Sequence, residues 1–469
     1  MPALIEADYI IIGAGAVGLA FADIILSESQ FTVAIIDRNA RPGGHWNDAY
    51  DFVTLHQPSA FYGINSLPLG EDKLDTTGPN AGLYELASGG QVRAYFEQVI
   101  SDIFLPTGRC QYLSRHEYLG ESRLKCLTTG AEQNFVAHRK VVDATYFGTN
   151  VPSRHHPSFS IDPTQTLVAP NALSGIFPDT APLWPHVCIV GAGKTAMDVA
   201  GWLLAQGQSP ETISWVVPRD SWLLNRKYTQ PGMDFFEGTI GKQAEQMQLI
   251  GSAQSAEDLF LKLEQAGIMM RIDQSVMPTM YHCATMSEAE TEALQSIKNI
   301  LRQGRVSAIT EQGLTFQTGH SVHMPSQTLY IDCTASAVDR RPAKPVFQAQ
   351  LITPQMVRTC QPTFSAALIA HIELSVPDEA RRNQLTSVPP LPHGLNEFLH
   401  LTIVNLMNQY LWSREVELRN WILNCRLDGF SKTIAAARPD DETKQSILKK
   451  FREFTPQAVG NLHTLMAQA

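Results

Sequence analysis

The chain has 469 residues, enough for two or three domains with substantial cores. Hydrophobic residues make up 44% and charged residues 17%, which excludes a disordered chain. The formal charge of −10, with no long Lys/Arg block, excludes nucleic acid and anionic membrane as main partners.

The opening MPALIEADYIII has no basic region ahead of an apolar one and no small-residue cleavage signal, so a cytoplasmic protein is expected. No membrane span is expected either, because glycines and Asp23 break the least polar long run. Next comes Tyr9 to Arg38, YIIIGAGAVGLAFADIILSESQFTVAIIDR: an apolar run, a glycine turn, a helix-length segment and a second apolar run ending in Asp37. That is the order of a βαβ unit that holds a dinucleotide. Gly13 permits the tight turn, Gly15 lets the backbone approach a pyrophosphate, and Gly18 lets the helix lie close to the strand. The helix N-terminus then offers its N–H groups to the phosphates, and Asp37 can accept the hydroxyls of an adenosine ribose.

The loop after it contains Gly43, Gly44 and Trp46; the glycines let backbone pass close to a cofactor, and Trp46 either covers it or plugs a core. Segment 50–68 is dense in neutral polar groups, as a pocket wall would be. His56 within it is either satisfied by a backbone carbonyl or catalytic. Helical spacing runs over 91–104, followed by short alternating stretches at 110–139 that suit a small antiparallel sheet. Val141–Thr145 reads as a parallel strand, with a turn at Gly148 and a crossover from Pro152. His155 and His156 are adjacent and lack a third ligand of clear spacing, so no metal site is expected. The seven cysteines, at 110, 126, 188, 283, 333, 360 and 425, include no CxxC pair. A dithiol-type flavin disulfide reductase and a zinc ribbon are thereby set aside, and most of these cysteines are expected to be small buried hydrophobes.

A second βαβ signal, HVCIVGAGKTAMDVAGWLLAQGQSPETISWVVPRD, repeats the logic with Gly191 and Gly193, and Ala196 takes the third-glycine position. Its GAGKT is no Walker loop, because Cys188 stands where that motif needs glycine. Arg219 occupies the place of the first unit's acid, where it can pair with a 2′-phosphate and favour NADPH, or is an ordinary exposed arginine. Arg226 and Lys227 lie near it in sequence, and Lys194 could reach a pyrophosphate. Residues 233–305 read as mostly helical and carry Met269, Met270, Met277, Met280 and Met286, which line a pocket or fill a core. TLYIDCTAS, with Asp332, echoes VVDATYFG, so the second unit is expected to be inserted in the first. A helix starts near Pro362 to Ser365, prolines 389, 390 and 392 mark a linker, and 394–465 is helical in pattern.

Two such fingerprints, the GG-x-W segment and the paired exit strands over residues 8–375 make the chain resemble the class B flavin-dependent monooxygenases, which include flavin-containing, Baeyer–Villiger and N-hydroxylating enzymes. The usual Ala-Thr-Gly of the exit strand is here Ala144-Thr145-Tyr146 and Cys333-Thr334-Ala335. The resemblance implies an α/β fold of two Rossmann-like dinucleotide-binding domains, the NADP domain inserted in the FAD domain, plus a C-terminal helical region. Its boundaries would be FAD domain 1–165 and 326–388, NADP domain 166–325 and helices 389–469. FAD would lie on Gly13, Gly15, Gly18, Asp37, Arg38, Gly43, Gly44 and Trp46, and NADPH on Gly191, Gly193, Lys194, Thr195 and Arg219. Asp332 and Phe364, in the second exit strand and the last domain helix, complete the cofactor set.

In that chemistry NADPH gives hydride to FAD, and reduced flavin activates O₂ as a C4a-(hydro)peroxide that oxygenates a small organic substrate. No nucleophilic side chain is required, in keeping with the lack of a triad or G-x-S-x-G. His56, Gln57 and Asn65 are the candidate catalytic groups, with Lys194 and Arg226 opposite them. A flavin oxidoreductase or dehydrogenase without oxygen insertion, and a catalytically silent flavoprotein subunit, are the competing readings. The implied partners are a small molecule and O₂, and a homo-oligomer stays open.

Overall fold

The computed structural model describes residues 4–177, 184–336 and 341–468. The apolar run Ile5–Ile12 becomes a strand paired on both edges, parallel to Val33–Ile36 and to Glu132–Asp143. Tyr9 to Ile12 are all buried, which is the pattern of a parallel sheet covered on both faces. Helix Ala16–Glu28 covers one face and packs in turn against helix Pro362–Ser375. Cys110–Leu113 extends this sheet beside Val33–Ile36, and Leu351–Ile352 extends it beside Glu132–Asp143, both in parallel.

A second sheet is built the same way. His186–Val190 lies between Ile213–Val216 and Thr328–Asp332, with Asn299–Leu301 outside the former and Thr166–Val168 outside the latter, all parallel. Written from the exit side, both sheets therefore share one order: flanking strand, exit strand, glycine-turn strand, second strand, third strand. The chain leaves the first sheet, builds the second, and returns to the first at Leu351–Ile352, so the expected insertion is present. The boundary at 326 is displaced, because Thr328–Asp332 belongs to the second sheet and the return to the first begins only with Phe347–Gln348.

The helical spacing over 91–104 gives helix Gly89–Gln98, capped by Ser88, and a π turn to Phe104. Of the stretches at 110–139, His116–Gly120 and Arg123–Cys126 form the small antiparallel piece, while Cys110–Leu113 joins the parallel sheet. Between 233 and 305 the helical expectation holds for Phe236–Ser252, Ala256–Gln265 and Glu288–Gln295. It fails at Met269–Met270 and Met280–Met286, which are strands on either edge of Ser221–Asn225. Pairing with that neighbouring strand overrides the local helical pattern there. Met269, Met280 and Met286 are buried, so these methionines fill core.

The C-terminal helices share a core with the inserted unit. Glu442–Gln468 packs along Phe236–Ser252, and Leu395–Arg414 packs against Glu442–Gln468 and Ala256–Gln265, over a shared core that includes Trp222, Phe260, Phe398 and Leu462. Asn461 donates to the Ile250 and Ala253 carbonyls at 2.7 Å each and ends that helix on its partner. Among the described residues no helix is long and apolar enough to cross a membrane.

Gly18 shows why the first unit tolerates no side chain at its third glycine: a Cβ there would stand 2.0 Å from the Gly13 carbonyl oxygen. Gly18→Ala should cost about 2 kcal/mol or more in urea unfolding, from forced separation of helix and strand. Gly460→Ala, in helix Glu442–Gln468 with nothing within 4 Å of the added carbon, should instead gain about 0.5 to 1 kcal/mol.

Candidate active site

The two glycine turns have the same backbone. Gly13 and Gly191 take φ of +101° and +129°, values that side chains resist. Gly15 and Gly193 cap the following helices with φ, ψ of −84°, −179° and −82°, −179°, and neither helix has a side-chain cap. The first N–H groups of both helices are therefore not taken up by a capping side chain, as an anion cradle requires. Each turn rests on the end of its exit strand: the Ala144 N–H donates to the Ile12 carbonyl at 3.0 Å, and the Cys333 N–H to the Val190 carbonyl at 2.8 Å. Asp143 and Asp332 then accept both the N–H and the hydroxyl of Thr145 and Thr334. Asp332, expected as a cofactor contact, thus braces its own turn.

The cradles differ at the second glycine. A Cβ on Gly15 would lie 3.6 Å from the Gly44 Cα, and the Gly43 N–H donates to the Ala14 carbonyl at 2.8 Å, so the Gly43–Gly44 loop forms a wall of the first cradle. Nothing lies within 4 Å of a Cβ on Gly193. At the end of the second strand, Asp37 accepts the N–H groups of Ala14 and Asn39, both at 2.6 Å, and burial pushes its carboxyl up. The Tyr112 hydroxyl, on the strand paired with Val33–Ile36, is buried and has no hydrogen-bond partner. Asp37 and Tyr112 together offer an acceptor and an uncommitted hydroxyl where a ribose would end. Tyr112 escaped the sequence reading because a tyrosine in a short strand carries no motif. Arg38 is exposed beside Asp37. In the second unit Arg219 is exposed, and its neighbour Asp220 is held by a two-pronged bond from Arg302, at 2.8 and 3.0 Å.

Between the two units lies a cluster drawn from both. Lys194 pairs with Asp198, which accepts the Tyr50 hydroxyl at 2.7 Å. Tyr50 packs on Phe52, and Phe52 stacks on Trp202 at 4.8 Å. His56 Nδ1 accepts the Thr285 N–H at 3.2 Å, which leaves the ring proton on Nε2. Burial, with Lys194 and Arg226 close by, pushes the His56 pKa down to about 3. This histidine is neutral through the physiological range.

Arg226 is a joint of the structure, with four of its five N–H donors committed to protein groups. It is fully buried and donates to the carbonyls of His56 and Thr285 and to Asn80, and it pairs with Glu290 at 2.8 Å. Lys227 is tied to Glu288 at 3.7 Å on the surface. Gln57 donates to the Cys360 carbonyl at 3.5 Å and stays with His56. Asn65 is set elsewhere: its N–H donates to Asp23 and its side chain accepts from the Arg426 N–H at 2.9 Å. The Arg426 guanidinium holds the carbonyls of Ala60, Tyr62 and Ile64, so Asn65 belongs to a clasp between segment 60–66 and the C-terminal region. Trp46 is buried in the first core and donates to the Tyr62 hydroxyl at 2.8 Å, the plugging role. Phe364 is likewise core, with the Arg358 guanidinium 3.8 Å above its ring and Trp412 at its edge. In both cases a large apolar ring near a glycine loop or a helix start was recruited by the nearest core.

A cavity of about 380 Å³ opens just past the first exit strand, between Tyr146 and Phe147, the segment Gln355–Thr359 and the prolines 389, 390 and 392. Its size is that of a small-molecule site. Among the described residues no group of three or more His, Cys, Asp or Glu is arranged to hold a metal ion.

Because His56 is held neutral, its contribution to stability is complete above about pH 6.5 and falls as pH drops toward 3, by up to about 1.4 kcal/mol per pH unit. Unfolding at pH 7 and pH 5 should show this slope reduced in His56→Gln. Arg226→Met should cost about 3 kcal/mol or more at pH 7, since it strands Glu290 and two carbonyls.

Comparison with known proteins agrees with this geometry. Residues 11–66 match the family model described as an NAD(P)-binding Rossmann-like domain. A crystal structure of cyclohexanone-bound cyclohexanone monooxygenase superposes with a TM-score of 0.50 at 13% identity, over 87% of this chain and 98% of that one, which shows a shared fold. The proteins Rv2000 of Mycobacterium tuberculosis (strain ATCC 25618 / H37Rv) and Mb2023 of Mycobacterium bovis (strain ATCC BAA-935 / AF2122/97), both described as uncharacterized, are 42% identical over 465 residues. The match covers 99% of this chain and 85% of theirs. The chain therefore belongs to the family of Rv2000 and Mb2023, built on the fold seen in a cyclohexanone monooxygenase.

Proposed function

We propose that this protein is an FAD-containing, NADPH-dependent monooxygenase acting on a small organic molecule. The observation that carries this reading is the duplication: two parallel sheets of one strand order, each with the same uncapped glycine turn, and a polar cluster between them. A dehydrogenase with one nicotinamide site needs only one such turn.

The residues fit the two cofactors. The N–H groups at Gly15 to Val17 receive the FAD pyrophosphate, and Asp37 with Tyr112 takes the adenosine ribose. The open space at Gly193 admits the second pyrophosphate, with Lys194 and Thr195 beside it, and Arg219 receives a 2′-phosphate. When bound, the flavin supplies hydride acceptance from NADPH and activation of O₂. Around it, neutral His56 offers an Nε2–H donor that stays uncharged through the working pH range, and Gln57 holds the neighbouring backbone. The buried Tyr50 ring, with the partly buried Lys194–Asp198 pair beside it, narrows the access of water to the junction. The cavity beside Tyr146 and Gln355 receives the organic substrate.

Purified protein reconstituted with FAD should hold one flavin per chain. Anaerobic NADPH should bleach its visible band, and air should restore it. Gly193→Ala should leave stability within about 0.5 kcal/mol, since its φ of −82° suits alanine, yet raise the KM for NADPH about tenfold by filling the phosphate space. Turnover of ketone, thioether and amine probes under ¹⁸O₂ should place label in product. Bleaching by NADPH with no labelled product from any probe would instead support an oxidoreductase without oxygen insertion, and failure to hold FAD would refute the reading.

A further inference from the structure

Two of the seven cysteines, 77 residues apart, form a disulfide: Cys283 with Cys360. A search for CxxC spacing could not find it. Cys283 is buried in strand Met280–Met286 of the inserted unit, and Cys360 is half-buried in the segment that leads into helix Pro362–Ser375 of the first unit. The bridge thus ties the insertion to the returning chain.

Its ends are both attached to the junction. Two residues on from Cys283, the Thr285 N–H donates to His56 Nδ1, and the Thr285 hydroxyl donates to the Cys283 carbonyl at 3.2 Å. The Cys360 carbonyl accepts from Gln57, and its neighbour Thr359, fixed by Asn405 at 3.0 and 2.8 Å, lines the 380 Å³ cavity. Cys283 and Cys360 both take left-handed backbone, with φ of +58° and +62°. A residue with a Cβ adopts that conformation at a cost and keeps it where surrounding contacts hold it. Here a single bond holds two such residues at once, directly behind His56 and Gln57.

We propose that Cys283–Cys360 is a thiol–disulfide exchange site that controls the nucleotide junction. A thiolate of a small or protein dithiol attacks the more exposed Cys360 sulfur, breaking its bond to Cys283 and forming a mixed disulfide. The second thiol of the reductant displaces Cys360, and the reductant leaves as its own disulfide. Two electrons have passed to the protein, which now carries two thiols. Freed of the bridge, both backbones relax from the left-handed region, and the supports of His56, Gln57 and the cavity wall at Thr359 shift. The oxidised form is the one in which the junction is set for both dinucleotides. The effect on NADP⁺ affinity rests on the proposed dinucleotide sites, whereas the bridge itself does not.

The test uses the full chain, purified without reductant. Unfolded and titrated with a chromogenic thiol reagent, it should show five thiols, and seven after dithiothreitol, matching five free cysteines of seven. Dithiothreitol should lower the midpoint of thermal unfolding by about 5 °C or more, as release of a long loop implies. It should also weaken NADP⁺ binding about threefold or more, measured by calorimetry on the FAD-loaded protein. Cys283→Ser/Cys360→Ser should behave as the reduced form and no longer respond to dithiothreitol, while Cys126→Ser should respond as the parent does. Seven thiols before reduction, or equal NADP⁺ affinity in the two redox states, would overturn the proposal. A five-to-seven change with altered NADP⁺ affinity, in a protein that never oxidises NADPH, would uphold the switch and refute only the flavoenzyme.

Discussion

A glycine without a side chain, pressed against the end of a neighbouring strand, sets the geometry of both halves of this protein. At Gly13 an added Cβ would come within 2.9 Å of the Thr145 side chain, and at Gly191 within 2.4 Å of the Cys333 carbonyl. Close approach at these points lets the exit strand lie in register with the turn strand, Ile12 opposite Asp143 and Val190 opposite Asp332. The aspartate at that position closes the exit strand by bonding the threonine two residues on. Once the turn is fixed this way, the helix after it begins without a capping side chain, the arrangement that the proposed phosphate contacts require.

From that duplication the chemistry between the halves follows. The segment after the first turn supplies Tyr50, His56 and Gln57, and the second turn supplies Lys194, Thr195 and Asp198, so a site appears only where the two meet. Arg226 anchors this meeting by bonding main chain on both sides of it, at His56 and at Thr285. Glu290 and these carbonyls offset the cost of taking that cation out of water. Burial is the main cause that keeps His56 neutral, and the charges of Lys194 and then Arg226 add to it.

The backbone of this arrangement was legible in the sequence because glycine positions and apolar runs report directly on dihedral angles and sheet burial. Gly13, Gly15, Gly18, Gly191 and Gly193 stand where their spacing put them, and the echo of VVDAT in IDCTA corresponds to matched Asp–Thr turns. Side-chain roles were less legible, because they depend on which neighbour arrives from far along the chain. Asn65 was claimed by Arg426, Phe364 by Arg358 and Trp412, and Arg226 by partners at positions 56, 80, 285 and 290. The strands at Met269–Met270 and Met280–Met286 were missed for the same reason, since their pairing partner, Ser221–Asn225, lies tens of residues away. The Cys283–Cys360 bridge likewise had no local signal.

In the proposed function the two turns are separate seats for two different dinucleotides. Isothermal titration of the apoprotein with FAD, and then of the FAD-loaded protein with NADP⁺, tests it most directly. One FAD and one NADP⁺ per chain are expected, with bound FAD leaving the NADP⁺ stoichiometry at one. Displacement of FAD by NADP⁺, or a single site shared by both, would contradict it.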